Sequence, residues 1–353
     1  MDRGMTGVLP RTPTLEDESY LDFMEDVRNF AIREMFPVVG KQVSAAARKA
    51  GLADDGATVP YRELGAVADP LPLVGVWKRI MRSQQQITWK KIAATLHENP
   101  ALYEAQLADA EQARPDRLHY DPEFVVPDYA KLDIHLQPGG YCNDPLAGFI
   151  FHHGTKVFYQ GDNDQDELHH QVADMLLEPA DGAPKRILDT GCSIGQGTTA
   201  LKQRFADAEV WGLDVGLPLV RYGHKRAVDL GIDVHFIQGL AEDLQFDDGH
   251  FDSVLAYILF HEVPSRLFKP IIGEAFRVLR PGGTYTVVDA PNNKAMPAPN
   301  RLWLRFDAIY NCEPYSPAFV ACDLPALLEE AGFTDIQVEM TPTFLTRTTG
   351  RKP

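Results

Sequence analysis

A doubly wound α/β fold, its sheet mostly parallel with an antiparallel last strand and preceded by a mainly helical domain, is what this 353-residue sequence predicts. Three observations point there. From Arg186 onward short apolar runs alternate with amphipathic stretches, the pattern of parallel strands covered on both faces. Glycine- and proline-bearing turns separate them, as in DTGCSIGQG and LRPGGTY. Before Phe151, by contrast, little of the sequence has strand texture.

Residues 1–14 read as a loose arm. Leu21, Met24, Val27, Ala31 and Met35 recur at helical spacing and predict a helix from Tyr20 that Pro37 should end. Val74, Trp77, Ile80, Met81, Ile92 and Leu96 predict one or two helices between Leu73 and His97. Asn99 followed by Pro100 reads as a cap and a first-turn proline, opening a helix to about Ala113. LEPADGAPK, residues 177–185, is a polar linker. The strand KRILDTG follows, then a glycine loop and a helix from Gly197 to Ala206. AEVWGLDV is a second strand, and LVRYGHKRAVDLG a helix stopped by Gly231. DVHFIQGL and FDSVLAYIL are the third and fourth strands; a helix from Ser265 to Leu279 leads into the fifth, TYTVVDA. Asp323 caps a last helix to Ala331, and DIQVEM and TFLTRTT close the sheet as an antiparallel pair.

Composition narrows the partners. Lys and Arg number 34 against 50 Asp and Glu, a formal charge of −16 with no basic cluster, which argues against a nucleic acid partner. No apolar run approaches a membrane span, and the N-terminal stretch lacks a secretory core, so a cytoplasmic protein is expected. Cys142, Cys192, Cys312 and Cys322 form no CxxC pair and read as reduced thiols. The pairs His152-His153 and His169-His170 raise a metal reading, but neighbouring helical side chains diverge by about 100°. DNDQDE, residues 162–167, opens like a calcium loop yet lacks the glycine at its sixth position and has Ala173 at its twelfth. No metal is expected.

Two ligands compete for the glycine loop. GQGTTA matches the dinucleotide fingerprint from Gly195, with Asp214 following 19 residues later. In that fingerprint, however, the first glycine leaves the strand directly. Here the strand ends at Asp189 and the first glycine after it is Gly191, from which GCSIGQ does not match.

ILDTGCSIG instead resembles motif I of the class I S-adenosylmethionine-dependent methyltransferases, at Leu188, Asp189, Gly191, Cys192 and Gly195; Ser193 stands where the family has its middle glycine. Four later stretches repeat the resemblance in the family's order. They are VWGLDVG, IQGLAEDLQF (with Leu240 replacing the first acid), DGHFDSVLAYILFHEV and FRVLRPGGTYTVVD. The likeness covers about residues 186–289 and is nearest to the ubiquinone/menaquinone-biosynthesis type. It implies a Rossmann-like fold and S-adenosyl-L-methionine as cofactor. Asp189, Gly191, Cys192, Ser193 and Gly195 would surround that cofactor, Asp214 and Val215 its ribose, Ala241 and Glu242 its adenine, and Tyr257, at the end of strand four, would also contact it.

In-line methyl transfer to a small molecule needs alignment and exclusion of water, and a base only if the nucleophile must lose a proton. The resemblance places the acceptor beyond strands four and five. His261 is then the candidate base and Tyr159 a catalytic lid residue; His152, His153, Trp303, Asp307 and Tyr310 are candidate acceptor contacts. The helical domain 1–150 would cap this site or mediate homodimerisation, residues 151–179 would cover it, and 180–353 would form the methyltransferase domain. The atom methylated (O, N, S or C) stays open. Two rival readings also stand: an NAD(P)-dependent oxidoreductase using GQGTTA, and a non-catalytic methyltransferase-like binding protein, to which Ser193 and Leu240 point.

Overall fold

The computed structural model describes residues 3–52, 61–292, 296–341 and 345–353. A two-residue hairpin, β1 (Met5–Thr6) with β2 (Leu9–Pro10), opens the chain. Helix α1 (Leu15–Asn29) follows, capped by Thr14, whose hydroxyl accepts the Asp17 N–H at 3.1 Å. Pro37 does not end this helix. Phe30–Met35 widens into a π-helical turn and the chain continues as α2 (Phe36–Lys49), with Pro37 in its first turn. The wider turn absorbs the proline's missing donor and bulky ring. After α3 (Tyr61–Ala68), the expected one or two helices are a single one, α4 (Pro72–His97). Pro100 opens α5 (Pro100–Ala113) as the sequence predicts, although the Asn99 side chain makes no capping bond.

The helical region also supplies a strand, β3 (Leu118–His119). An irregular stretch then leads to α6 (Ala147–Phe158) and α7 (Glu167–Asp174). The alternation read from the sequence follows as β4 (Arg186–Thr190), α8 (Gln196–Arg204), β5 (Glu209–Asp214), α9 (Leu217–Leu230), β6 (His235–Gln238) and β7 (Phe251–Tyr257). Next come α10 (Phe268–Val278), β8 (Leu279–Asp289), α11 (Ala298–Tyr310), α12 (Ser316–Ala321), α13 (Leu324–Ala331), β9 (Thr334–Met340) and β10 (Thr346–Arg351). The start of TFLTRTT lies outside the described residues. Asp323 caps α13 by accepting the Ala326 N–H.

Strands β3 to β10 form one sheet in the order β3-β6-β5-β4-β7-β8-β10-β9, apart from the β1-β2 hairpin. All neighbours are parallel except β10, which runs antiparallel to both β8 and β9. The mostly parallel, doubly wound Rossmann-like sheet is therefore observed, extended at one edge by β3. Alternation along the strands divides the core. Leu188, Val254 and Ala256 face α10 and α13, while Ile187, Val210 and Leu255 face α7, α8 and α9. Two further clusters join the helical region to the sheet region. Trp89 and Phe149 pack with Ile194, Leu219 and Tyr222, and Val39 and Trp77 pack with Leu302 and Phe306. Both sit against loops that leave the carboxyl ends of the strands, where open α/β sheets bind ligands.

Candidate functional site

The glycine loop is tied down by its neighbour strand. After β4 the chain turns through Gly191 at φ 73°, and the N–H groups of Gly191 and Cys192 both donate to the Leu213 carbonyl, at 2.8 and 3.0 Å. Ser193 sits in the left-handed region at φ 50°, where a glycine would be unstrained. Its N–H donates to Asp214 Oδ2 at 2.9 Å, which holds the loop in that shape. Gly195, at φ 73°, precedes α8, and a Cβ there would lie 2.4 Å from Phe236 Cζ. The GQGTTA stretch thus runs from the cap into α8, and the residue that leaves the strand is Gly191. The dinucleotide fingerprint is matched in letters and not in placement.

Two carboxylates flank this loop at the ends of adjacent strands. Asp189 is buried, and its Oδ2 accepts from Thr198 Oγ1 at 2.7 Å. Burial, reinforced by the charge of Asp214, pushes its carboxyl up to about 7. Asp214 is buried too, its oxygens accepting from the N–H groups of Gly216 at 2.8 Å and Ser193 at 2.9 Å. Burial still raises it to about 6, against the pull of those bonds. A carboxylate has about four lone-pair sites, so each oxygen of Asp214 keeps capacity for a ligand.

Asp189, Gly191, Cys192, Ser193, Asp214 and Val215 line one cavity, and Tyr257 and Tyr159 lie on its other wall. Gly195, Ala241 and Glu242 stand behind. Glu242 Oε1 accepts from the Tyr129 hydroxyl at 2.6 Å, and it is Tyr129 that reaches the cavity. The Tyr257 hydroxyl bonds to that of Tyr159, whose own ionisation burial pushes up to about 12. His169 completes this wall, edge-on to Tyr257 at 5.6 Å between ring centres; burial lowers it to about 3, so it is neutral.

A charged cluster lies beside these aromatics, and sequence reasoning did not assemble it. His135, at φ 55° in the irregular stretch before α6, bonds Glu313 Oε1 through Nδ1 at 2.9 Å and Glu262 Oε1 through Nε2 at 3.3 Å. Burial opposes its charge, but the two carboxylates raise it to about 10, so it is an imidazolium. The Tyr141 hydroxyl reaches the same Glu262 oxygen at 3.3 Å. Asn311 bridges Glu313, at 3.0 Å, and Asp307, at 3.3 Å, and is itself held by Gln85 at 2.6 Å. His135, Tyr141 and Glu262 line the cavity; Glu313 and Asp307 stand behind them. Burial and the charge of Glu313 push the Asp307 carboxyl well above the usual range.

The remaining sequence candidates fall elsewhere. His261 is off the cavity wall, its Nδ1 bonded to Asp289 Oδ1 at 2.5 Å. Burial works against its charge, but Asp289 raises it to about 9, so at neutral pH it carries a proton and has no lone pair to offer a base role. His152 bonds the Tyr222 hydroxyl at 2.7 Å, and His153 is buried and lowered to about 4; neither lines the cavity. Trp303 packs between Phe36 and Trp77, and Tyr310 lies on Phe306 and Lys78, in the core beside α2 and α4. In the DNDQDE stretch Asp166 is taken up by Arg226 and Gln196. Among the described residues no three His, Cys, Asp or Glu side chains are grouped to hold a metal ion. No described helix is long and apolar enough to cross a membrane.

A family model described as a methyltransferase domain matches residues 187–283. The chain is 36% identical over 121 residues to a demethylmenaquinone methyltransferase of Thermus thermophilus, covering 34% of this chain and 53% of the relative. The chain thus spans about half the length of that relative. It is 32% identical over 174 residues to an uncharacterized methyltransferase of Synechocystis, covering 49% of this chain and 76% of that one. A crystal structure of a SAM-dependent methyltransferase from Aquifex aeolicus aligns over 52% of this chain and 88% of its own, at 18% identity and a TM-score of 0.39.

Proposed function

The chain belongs to the class I S-adenosylmethionine-dependent methyltransferases, and we propose that it transfers the methyl group of that cofactor to a small-molecule acceptor. One observation carries the reading. Asp189 and Asp214, two buried carboxylates on the ends of adjacent parallel strands, face one cavity across a glycine loop with no basic residue in it. A pyrophosphate would be repelled there. A nucleoside with vicinal hydroxyls and a cationic amino-acid tail fits.

The residues present suit that cofactor. Both carboxyls are raised by burial, as expected of groups short of a partner. Ser193 Oγ is buried in the loop with no hydrogen-bond partner. Asp214 would accept the ribose hydroxyls, Asp189 would orient the amino group directly or through water, and Tyr129, pinned by Glu242, would border the adenine. When bound, S-adenosylmethionine supplies a methyl group already activated on a sulfonium sulfur.

What remains for the protein is alignment and dryness. Tyr159 and Tyr257, joined through their hydroxyls, wall the acceptor side and are the candidates for fixing the nucleophile. Asp307, which Asn311 ties to Glu313, acts on that side only through its neighbours. His261, already protonated, serves better as an anchor for the loop after β7 than as a base. Residues 114–146 bring Tyr129, Ile134, His135 and Tyr141 over the cavity, which supports a capping role for the helical region. The four free cysteines suit a reducing, cytoplasmic setting.

Calorimetric titration tests the proposal. S-adenosylhomocysteine should bind the wild-type protein and NAD(H) should not. Clean binding of the dinucleotide with none of the nucleoside would refute it.

A further inference from the structure

We propose that Glu262 is the residue that takes the proton from the acceptor, and that the acceptor is an uncharged hydroxyl compound with an apolar body, such as an alkylated phenol. The inference rests on the methyltransferase reading and goes beyond it by naming a residue and a substrate class.

The geometry of the charged cluster carries it. Both donors that reach Glu262, His135 Nε2 and the Tyr141 hydroxyl, bond to Oε1. Oε2 makes no hydrogen bond among the described residues, and Glu262 lines the cavity. One carboxylate oxygen is thus fixed by the protein and the other is free for a ligand. The neighbouring imidazolium would ordinarily resist the loss of its counter-ion when Glu262 gains a proton. Here it has a second carboxylate, Glu313, on its other nitrogen at 2.9 Å. His135 therefore stays compensated whichever state Glu262 adopts. The cluster is a fixed ion pair beside a carboxylate with one open oxygen.

The walls select the acceptor. Ile134, Phe151, Ile258, Leu259 and Val263 are apolar and cannot satisfy polar groups. The histidines that line the cavity offer no uncompensated positive charge: His135 is paired twice and His169 is neutral. A carboxylate acceptor would face Glu262 with nothing to neutralise it. An ammonium has no lone pair on nitrogen with which to attack, and would bring a second positive charge up to the His135 imidazolium. A hydroxyl brings one donor to one acceptor. In the reaction its O–H bond breaks and the proton passes to Glu262. The oxygen's electron pair forms the new O–C bond, and the electron pair of the broken S–C bond stays on sulfur as a neutral thioether.

The test uses the full chain and three probes sharing a 4-octylphenyl body: 4-octylphenol, 4-octylbenzoate and 4-octylbenzylamine. First, S-adenosylhomocysteine is titrated into wild type, Glu262→Gln and Glu262→Asp; affinities should agree within about threefold, because Glu262 bonds to neither Asp189 nor Asp214 and reaches Asp214 only through a minor charge effect. Each probe is then titrated into the saturated complexes. Octylphenol should bind wild type at least about tenfold more tightly than the other two, and lose about tenfold or more in Glu262→Gln, as when a hydrogen bond to a charged group is removed. With S-adenosylmethionine, Glu262→Gln should turn octylphenol over at least about 100-fold more slowly, with partial recovery in Glu262→Asp. Preference for the benzoate or the benzylamine, no probe binding, or full turnover by Glu262→Gln overturns the proposal. The wild-type probe ranking decides the substrate class even if the variants fail to fold. Failure of wild type to bind S-adenosylhomocysteine refutes the methyltransferase reading instead.

Discussion

Replacing Asp189 with Asn should make the ligand-free protein more stable and its cofactor binding weaker. Asp189 is 2% exposed, and its carboxyl stands at about 7 in the folded chain against 3.8 unfolded. An acid raised in this way favours the folded state while protonated. That advantage is complete below 3.8 and is lost as pH rises through 7. At pH 8 the buried charge costs about 4 kcal/mol, from about three units at 1.36 kcal/mol each. Asn carries no charge and keeps an acceptor for the Thr198 hydroxyl, now 2.7 Å from Asp189 Oδ2. Urea denaturation of both proteins at pH 8 and pH 5 reads the difference. The variant should gain about 2–4 kcal/mol at pH 8, and about 2.5 kcal/mol less at pH 5, where the wild-type carboxyl is mostly protonated when folded. Its affinity for S-adenosylmethionine should fall in calorimetry at pH 8, since the cofactor's ammonium loses its counter-charge. A variant less stable than wild type at pH 8, or a gain that is the same at both pH values, would refute the claim that this carboxylate is held charged in the site against its own solvation.

Gly195→Ala should destabilise by about 2–4 kcal/mol in the same assay, combining about 1 kcal/mol for a left-handed alanine with about 1–3 kcal/mol for the 2.4 Å approach to Phe236 Cζ. Asp214→Asn should weaken S-adenosylhomocysteine binding about 10- to 100-fold, because the ribose loses hydrogen bonds to a charged acceptor worth about 1.5–3 kcal/mol. Asp289→Asn should lower the His261 imidazole from about 9, since burial is then opposed only by the more distant charges of Glu262 and Glu313; NMR titration of the ring protons reads this directly. In wild type the same pair contributes stability that is whole below 6.5 and fades as pH climbs through 9.

The sheet was legible because its signals are local. A strand such as RILDT and its following glycines occupy a dozen residues, and alternation with helices dictates parallel pairing before any contact is known. The helices of the first half were legible in kind but less so in extent. Pro37 reads as a stop in any window of sequence. It is passed because the preceding turn widens, which depends on how Ala31 packs against Trp77, 46 residues away in the chain. Strand β3 could not be read at all: two residues, LH, have no period, and they pair only because β6 presents an open edge.

The two halves of the site differ for the same reason. The proposed cofactor side is made by two short stretches at the ends of adjacent strands, so Asp189, Ser193 and Asp214 announce themselves by spacing. The proposed acceptor side draws Tyr141 and His135 from an irregular stretch, Tyr159 from the end of α6, Glu262 from the turn after β7, and, behind them, Glu313 from the turn after α11. His135 and Glu313 stand 178 positions apart in sequence yet form the tightest ion pair of that wall. Helical spacing led to Trp303 and Tyr310, which share a helix with Asp307 but point into the core with Trp77 and Phe306. A periodic stripe marks what a helix buries. A binding wall needs groups that no single helix presents, and their chemistry is set by partners such as Glu313 beside His135. On the proposal above, acceptor specificity would be a property of the charged cluster as a unit. Changes to Glu313 or Asn311, which stand behind the wall, should alter the choice of acceptor while leaving cofactor affinity intact.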